Sequence, residues 1–386
     1  MDYGSRCYKD NSSLFLAKGS CPKMRFGIQL FPSYTAPELV SYAKRALSQY
    51  PFDTVWLPDH LSYEHVFISL AALITQTEAH VGTSVTHPFS RTPVDLAASF
   101  ATLSHLAGER GITVGLGTGA ATSNMIRKQR RVPMVREMVL FLRELFAGGK
   151  ARFSDFPNLT DFFRLDPAAQ TVLHLPPAKA PEIFVAAGGP ELLRLAGELG
   201  DGLILSNFSF PTALIRQGAL EFALAKVEEG RRCQKVARRL TKVLHLHVSV
   251  ARDGARAKRF SKRVASITLV ESRFSHERVR QLGFPAERAA AIEDAFNQGT
   301  NVNEMESLVG DRLIEESGIV IAGTPEECIV QLDEVLCLAK PYAFDIVDVA
   351  SPLGPDLNEA IDLLCQEILP ELRRRSDSYV EHERGS

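Results

Sequence analysis

Short runs of aliphatic and β-branched residues alternate along this chain with longer segments whose apolar positions recur at helical spacing. The stretch 81–119 sets the type. Val81–Val85 is an apolar run, Thr86–Thr92 is polar, and Pro93 to about Ala107 has the spacing of an amphipathic helix. Gly108–Gly111 then turns the chain into a second apolar run, Ile112–Leu116, which ends in Gly117–Thr118–Gly119. Strand, helix and strand joined by short turns make a βαβ unit, which implies a parallel sheet and a right-handed crossover.

The same alternation predicts strands from Met24 to Pro32 and over Asp53–Leu57, Glu182–Ala186, Gly202–Leu205, Lys242–Val250 and Phe344–Val349. Helices are expected from Thr35 to about Tyr50, with Pro37 near the first position, and from about His65 to Thr77. Others are expected over Asn124–Ala147 with a break near Pro133, up to Leu199, and over Pro211–Gly230. Thr324 and Glu327 have the spacing of a capping box, and a closing helix runs to about Arg374. Residues 150–181, rich in Pro, Asp and Phe, read as an irregular excursion or small hairpin, and 272–318 as a second, mainly helical one. Residues 1–23 are polar and aperiodic, the composition of a disordered extension, and 376–386 form a polar tail. Eight strand–helix units in one chain favour a single α/β domain over 24–375, a closed (β/α)8 TIM barrel with insertions, over an open sheet.

Composition changes that picture little. A chain of 386 residues with 45% hydrophobic content can bury a large core. A net charge of −2 gives no reason to expect nucleic acid or an anionic membrane as partner. No apolar run approaches the roughly 20 residues that span a bilayer. The six cysteines stand without any C-x-x-C spacing, as reduced thiols of a cytoplasmic protein would, and suggest neither a disulfide framework nor a metal cluster.

In a barrel the carboxyl ends of the strands meet at one mouth, where catalysis occurs. Those ends hold Gln29, Asp59–His60, Ser84 to His87, Thr118–Gly119, Gly188–Gly189 and Ser206–Asn207. Asp59–His60 is the sharpest pair, because histidine exchanges protons near neutrality; a helix-capping aspartate beside a bystander histidine is the plainer alternative. Gly117–Thr118–Gly119 and Gly188–Gly189–Pro190 would let backbone amides approach a phosphate or a flat ring, though tight turns use glycine anyway. His245 and His247 share one strand face as core or substrate-contact residues, without a carboxylate at metal-ligand spacing. Arg91, Arg127 and Lys128 could reach an anion near the mouth or be solvated charge.

RFGIQLFP, PDH, GTSVTHPFSRTP, GLGTG, AAGGPELLRLAGELGDG and AGTPEE, in that order, resemble the bacterial-luciferase-like oxidoreductases. The branch using the deazaflavin coenzyme F420 is most similar, methylenetetrahydromethanopterin reductases in particular. The resemblance covers about Met24 to Leu372 and implies hydride transfer between the coenzyme and a small organic substrate. It implies that Asp59 and His60 lie beside the deazaflavin ring, and His60, oriented by Asp59, is then the residue expected to handle a proton. It places a non-proline cis peptide at Ser84–Val85, against that ring. Thr86, Thr118, Gly119, Ala187, Gly188, Gly189, Ser206 and Asn207 match coenzyme contacts, while Gln29, His87, His245 and His247 are left to the substrate. A homodimer is expected from the same likeness. Two positions depart from related branches: Ala120 follows T-G where sugar-phosphate dehydrogenases carry an acid, and Gln29 stands where the pterin reductases do. The alternatives are an FMN-dependent monooxygenase and a barrel that binds flavin or another ligand without turnover.

Overall fold

A computed structural model describes residues 24–119, 126, 131–234, 238–271 and 309–384, with a few isolated positions between 287 and 307. Its strands in chain order are β1 (Arg25–Gln29), β2 (Thr54–Leu57), β3 (Val81–Thr83), β4 (Ile112–Leu116), β5 (Ala151–Arg152) and β6 (Gln170–Thr171). They continue with β7 (Glu182–Ala186), β8 (Gly202–Ser206), β9 (Thr241–Val250), β10 (Ile321–Gly323) and β11 (Ile346–Leu353).

Parallel pairing runs β11–β1–β2–β3–β4–β7–β8, and β9 joins both β8 and β11, so eight strands close into a ring. The (β/α)8 TIM barrel expected from the alternation is therefore present. These strands are buried on both faces, which is why they read as near-continuous apolar runs. Trp56, Phe184, Ile204, Val243 and Ile346 fill the interior, and Val85 and Ala186 pack against them from the mouth side. The helices cover the outside, as where Phe67 and Phe100 meet edge to face at 5.1 Å between neighbouring helices. No helix among the described residues is long and apolar enough to cross a membrane.

Five local readings differ from expectation. β3 stops at Thr83 instead of Val85, because the chain turns inward there. The helix expected over Pro211–Gly230 is two, Thr212–Ile215 and Ala219–Arg231, parted at Gly218, whose φ of +87° only glycine adopts freely. β10 was not anticipated; it pairs with Val248–Val250 of β9, past the end of β8, and so raises the wall of the mouth on that side. The last helix, Leu369–Arg384, runs beyond Arg374, with Glu371 bonding Arg374 and Arg375 one turn on. Pro133 lies in the first turn of the helix Arg131–Phe146, where proline is tolerated, and does not break it.

The excursion at 150–181 is a hairpin of β5 and β6 around a short helix, Pro157–Phe163. Its aromatic residues pack: Phe141 meets Phe156 edge to face at 5.1 Å. Buried Glu137 accepts from the amides of Asn158 and Leu159 at the start of that helix. Most of the second excursion, 272–318, lies outside the described residues, apart from the helix Asp311–Ser317. Residues 1–23 lie outside them too, as do Ala120, Arg127 and Lys128.

Thr324 and Glu327 form the expected capping box: the Glu327 amide donates to Thr324 Oγ1 at 3.3 Å, and Glu327 Oε2 accepts from the Thr324 amide at 2.8 Å. Thr324→Ala should lower unfolding free energy by about 1 kcal/mol. Guanidinium unfolding checks this, and a loss below a few tenths would remove the cap from the account.

Candidate active site at the barrel mouth

The Ser84–Val85 peptide at the tip of β3 is cis, and so is Ser351–Pro352 at the end of β11. Gln29, buried at the end of β1, ties the two segments together. Its Nε2 donates to the Ser84 carbonyl at 2.9 Å and to Ser84 Oγ at 2.8 Å, and its Oε1 accepts from Ser351 Oγ at 2.7 Å. With its amide fully engaged, Gln29 supports the mouth from inside.

Asp59 is held differently from expectation. Its carboxylate accepts from Thr86 Oγ1 at 2.7 Å and takes a two-pronged bond from Arg91, at 2.5 and 3.2 Å. Among the described residues, no hydrogen bond joins Asp59 to His60, so Asp59 does not orient that ring. It pins the loop after β3 instead. Arg91, which could have been solvated charge, has a side chain only 12% exposed and lies 4.9 Å over the Phe67 ring.

Aromatic packing positions His60. Phe31 meets its ring edge to face at 4.8 Å, and Tyr63 does so at 5.6 Å. Burial pushes its pKa down to about 4, partly offset by the nearby Asp59 charge. At neutral pH it is an uncharged imidazole with a lone pair to offer.

Past the Asp59 amide, which donates to the Val85 carbonyl, the strand tips present a surface of small groups. Val85 and Ala186 flank Gly117, where an added Cβ would stand 3.1 Å from Val85 Cγ2 and 3.4 Å from Ala186 Cβ. A Cβ on Gly189 would meet nothing within 4 Å. Thr118, Gly119, Gly188 and Ser206 are half-buried around the same rim, while Ala187 is buried behind it. Gly119 has φ +59°, and a Cβ there would fall 2.5 Å from the His87 ring, so only glycine fits. Backbone and methyl surface with few protruding side chains suits a flat ring.

Two candidates face elsewhere. His87 is buried against Gly119, its Nδ1 accepting from the Phe89 amide. The Asn207 amide is used within the wall: Oδ1 accepts from the His247 amide at 2.9 Å, and Nδ2 donates to the Gly318 carbonyl at 3.4 Å. His245 and His247 do share the inward face of β9, with rings edge to face at 4.9 Å. The sequence reading missed what accompanies them. Asp348 of β11 is wholly buried opposite His245 and closes on its Nδ1, and Phe208 lies flat on the His247 ring. A lone acid at an inward position of an apolar strand, IVDVA, was the available signal.

The profile of a family described as luciferase-like monooxygenase matches residues 24–337. Over 358 residues the chain is 28% identical to a 5,10-methylenetetrahydromethanopterin reductase of Archaeoglobus fulgidus, covering 91% of this chain and all of the relative. It is 26% identical to an F420-dependent glucose-6-phosphate dehydrogenase of Amycolatopsis mediterranei, covering 87% of this chain and 94% of that one. Its fold is similar to the coenzyme F420-dependent tetrahydromethanopterin reductase of Methanopyrus kandleri, with TM-score 0.70, 22% identity and coverage of 91% and 99%. A type II Baeyer–Villiger monooxygenase of Pseudomonas putida in complex with FMN has the same fold at TM-score 0.58 and 17% identity, covering 90% of this chain and 98% of its own.

Proposed function

The chain belongs to the luciferase-like monooxygenase family, and on that premise we propose that it is an oxidoreductase using the deazaflavin coenzyme F420, with hydride exchanged between coenzyme and a small organic substrate. The small-residue surface of Val85, Gly117 and Ala186, together with an uncharged His60, carries this reading. The F420-dependent relatives named above, similar along nearly their whole lengths, support the choice of coenzyme.

The deazaflavin would supply a carbon centre that takes up or gives back a hydride, moving two electrons at a time. The residues fit such a group. Ser84, Val85 and Thr86 would back the ring, Thr118–Gly119 and Ala187–Gly189 would offer peptide edges, and Ser206 a hydroxyl. Asp59 and Arg91 fix the loop that presents Val85 and exclude water from beneath it. His60 would hold or accept a proton on a ring nitrogen that has no hydrogen-bond partner among the described residues.

Side-by-side fluorescence titration with the deazaflavin and with FMN tests the coenzyme; tighter binding of FMN favours the monooxygenase alternative and overturns the assignment. His60→Ala should then lower turnover about a hundredfold, in the range of general acid–base catalysis, while deazaflavin affinity stays within about threefold. Equal losses in both would make His60 a binding residue only.

A further inference from the structure

Inside the barrel, beneath the mouth, β9 and β11 carry a set of polar groups that the reaction above leaves unused. Side chains alternate along a strand, so Val243, His245 and His247 share one face of β9. Val243 belongs to the apolar interior with Trp56, Phe184, Ile204 and Ile346, so the two imidazoles lie above that floor, toward the mouth. His245 is 4% exposed and His247 7%. β9 stands four places from β3 in the ring of eight, so His247 faces the Ser84–Val85 apex across the mouth.

The hydrogen bonding of His247 fixes its polarity. Its Nδ1 lies 2.5 Å from the Ser351 carbonyl, which can only accept, so Nδ1 carries the hydrogen. Burial, reinforced by His245, keeps the ring neutral against that one favourable bond. Its lone pair therefore sits on Nε2, which has no hydrogen-bond partner among the described residues, and the residue keeps 7% of its surface exposed. Phe208, flat on the ring at 3.4 Å between centroids, prevents rotation.

His245 has the opposite polarity. Asp348 Oδ2 closes on its Nδ1, and among the described residues no other donor reaches either oxygen of this wholly buried acid. Burial raises the carboxyl and lowers the imidazole, which keeps the proton on Asp348. Nδ1 of His245 is then the acceptor and Nε2 the hydrogen-bearing nitrogen. This side of the barrel, above its apolar floor, thus carries a donor and an acceptor on rings 4.9 Å apart. A hydroxyl oxygen uses both at once; an ether or an isolated carbonyl uses only the donor.

We propose that His247 and the Asp348–His245 pair form a hydroxyl-binding site in which His247 Nε2 takes the substrate's O–H proton, so that the oxidised substrate is an alcohol. This rests on the function proposed above. In the oxidising direction the carbinol C–H bond breaks and its electron pair leaves as hydride to the oxidised deazaflavin, which is reduced. The O–H bond breaks, its proton passes to Nε2, and its electron pair forms the second C–O bond of the product carbonyl. His245 Nε2–H stays on that oxygen, and the imidazolium of His247 returns its proton to water.

The test is nitrogen-15 NMR of histidine-labelled protein, first ligand-free and then loaded with the deazaflavin and titrated with secondary alcohols from 2-propanol to cyclohexanol, each beside its methyl ether. The ligand-free protein should show His247 as the neutral Nδ1–H tautomer. The alcohols should shift its Nε2 resonance and the ethers should not. His247→Phe should weaken alcohol binding at least tenfold with deazaflavin affinity unchanged, and His247→Gln, which keeps an acceptor, should recover part of it. Alcohols and ethers acting alike, or alcohol affinity unchanged in His247→Phe, overturns the site while the coenzyme reading stands. Failure of the unsubstituted protein to bind the deazaflavin overturns that reading, and the alcohol assignment with it.

Discussion

Arg91→Ala is expected to lower unfolding free energy by about 3–5 kcal/mol, the range for removing one partner of a buried ion pair. The side chain of Asp59 is 1% exposed and that of Arg91 12%. Without the guanidinium, Asp59 keeps one side-chain bond, from Thr86 Oγ1, and an otherwise uncompensated charge. The loss should not be confined to stability. The amide of Asp59 donates to the Val85 carbonyl at 3.2 Å, and that of Ser84 to the Leu57 carbonyl at 2.9 Å. The loop presenting Val85 is thus fastened to the end of β2 by groups that include the ion pair, and deazaflavin affinity should fall with it. Arg91→Lys should restore only part, since an ammonium cannot make the two-pronged bond. The double variant Asp59→Asn with Arg91→Ala should be more stable than Arg91→Ala alone, because it removes the stranded charge. Denaturant unfolding of the four proteins decides: a single-variant loss under about 1 kcal/mol would show the pair to be a surface-like bridge.

The barrel was legible because strands buried on both faces leave apolar runs that helical spacing does not imitate. What those runs do not encode is position across the chain. Arg91 reads as ordinary surface charge in sequence, and only the turn after Thr83 brings it under Asp59, which its neighbour His60 had made look catalytic. Asn207 ends a strand at the mouth like a ligand contact, yet spends its amide on β9. Asp348 sits in mid-strand, where an isolated acid has no strand-tip position to mark it as part of a site. β10 escaped because three residues are too few to show a period, and its partner lies some seventy positions earlier, Ile321 against Val248. Ser84–Val85 was found by likeness to other sequences; nothing in the local pattern distinguishes that bond.

Stability should fall on both sides of neutrality, through different groups. His60 and His247 are pushed down in the fold, His60 to about 4, while an unfolded histidine titrates near 6.5. Below pH 6.5 the unfolded chain therefore binds up to two protons that the folded one refuses. Stability present at neutral pH is lost as pH falls, by about 1.4 kcal/mol per proton and pH unit, less for the partly exposed His60. The Asp348–His245 pair behaves otherwise. His245 is lowered to about 3 and Asp348 raised well above its usual 3.8, so the folded pair keeps one proton, on the acid. Between about pH 4 and 6.5 the unfolded chain also holds one, on the histidine, and the pair contributes no slope. Above 6.5 the unfolded chain has released it while the raised Asp348 carboxyl holds it, so stability falls as pH rises. Asp348→Asn separates the two limbs. It removes the retained proton, flattening the curve above pH 6.5, and leaves His245 as a third buried neutral imidazole, steepening the acid limb by one proton. Unfolding free energies from pH 5 to 8 suffice, a window below the titration of the buried thiols Cys328 and Cys365, both raised by burial. A wild-type curve flat from 6.5 to 8 would mean that the folded pair holds no proton: Asp348 would be ionised and His245 neutral with its hydrogen on Nδ1, which removes the Nε2–H donor that the hydroxyl site requires.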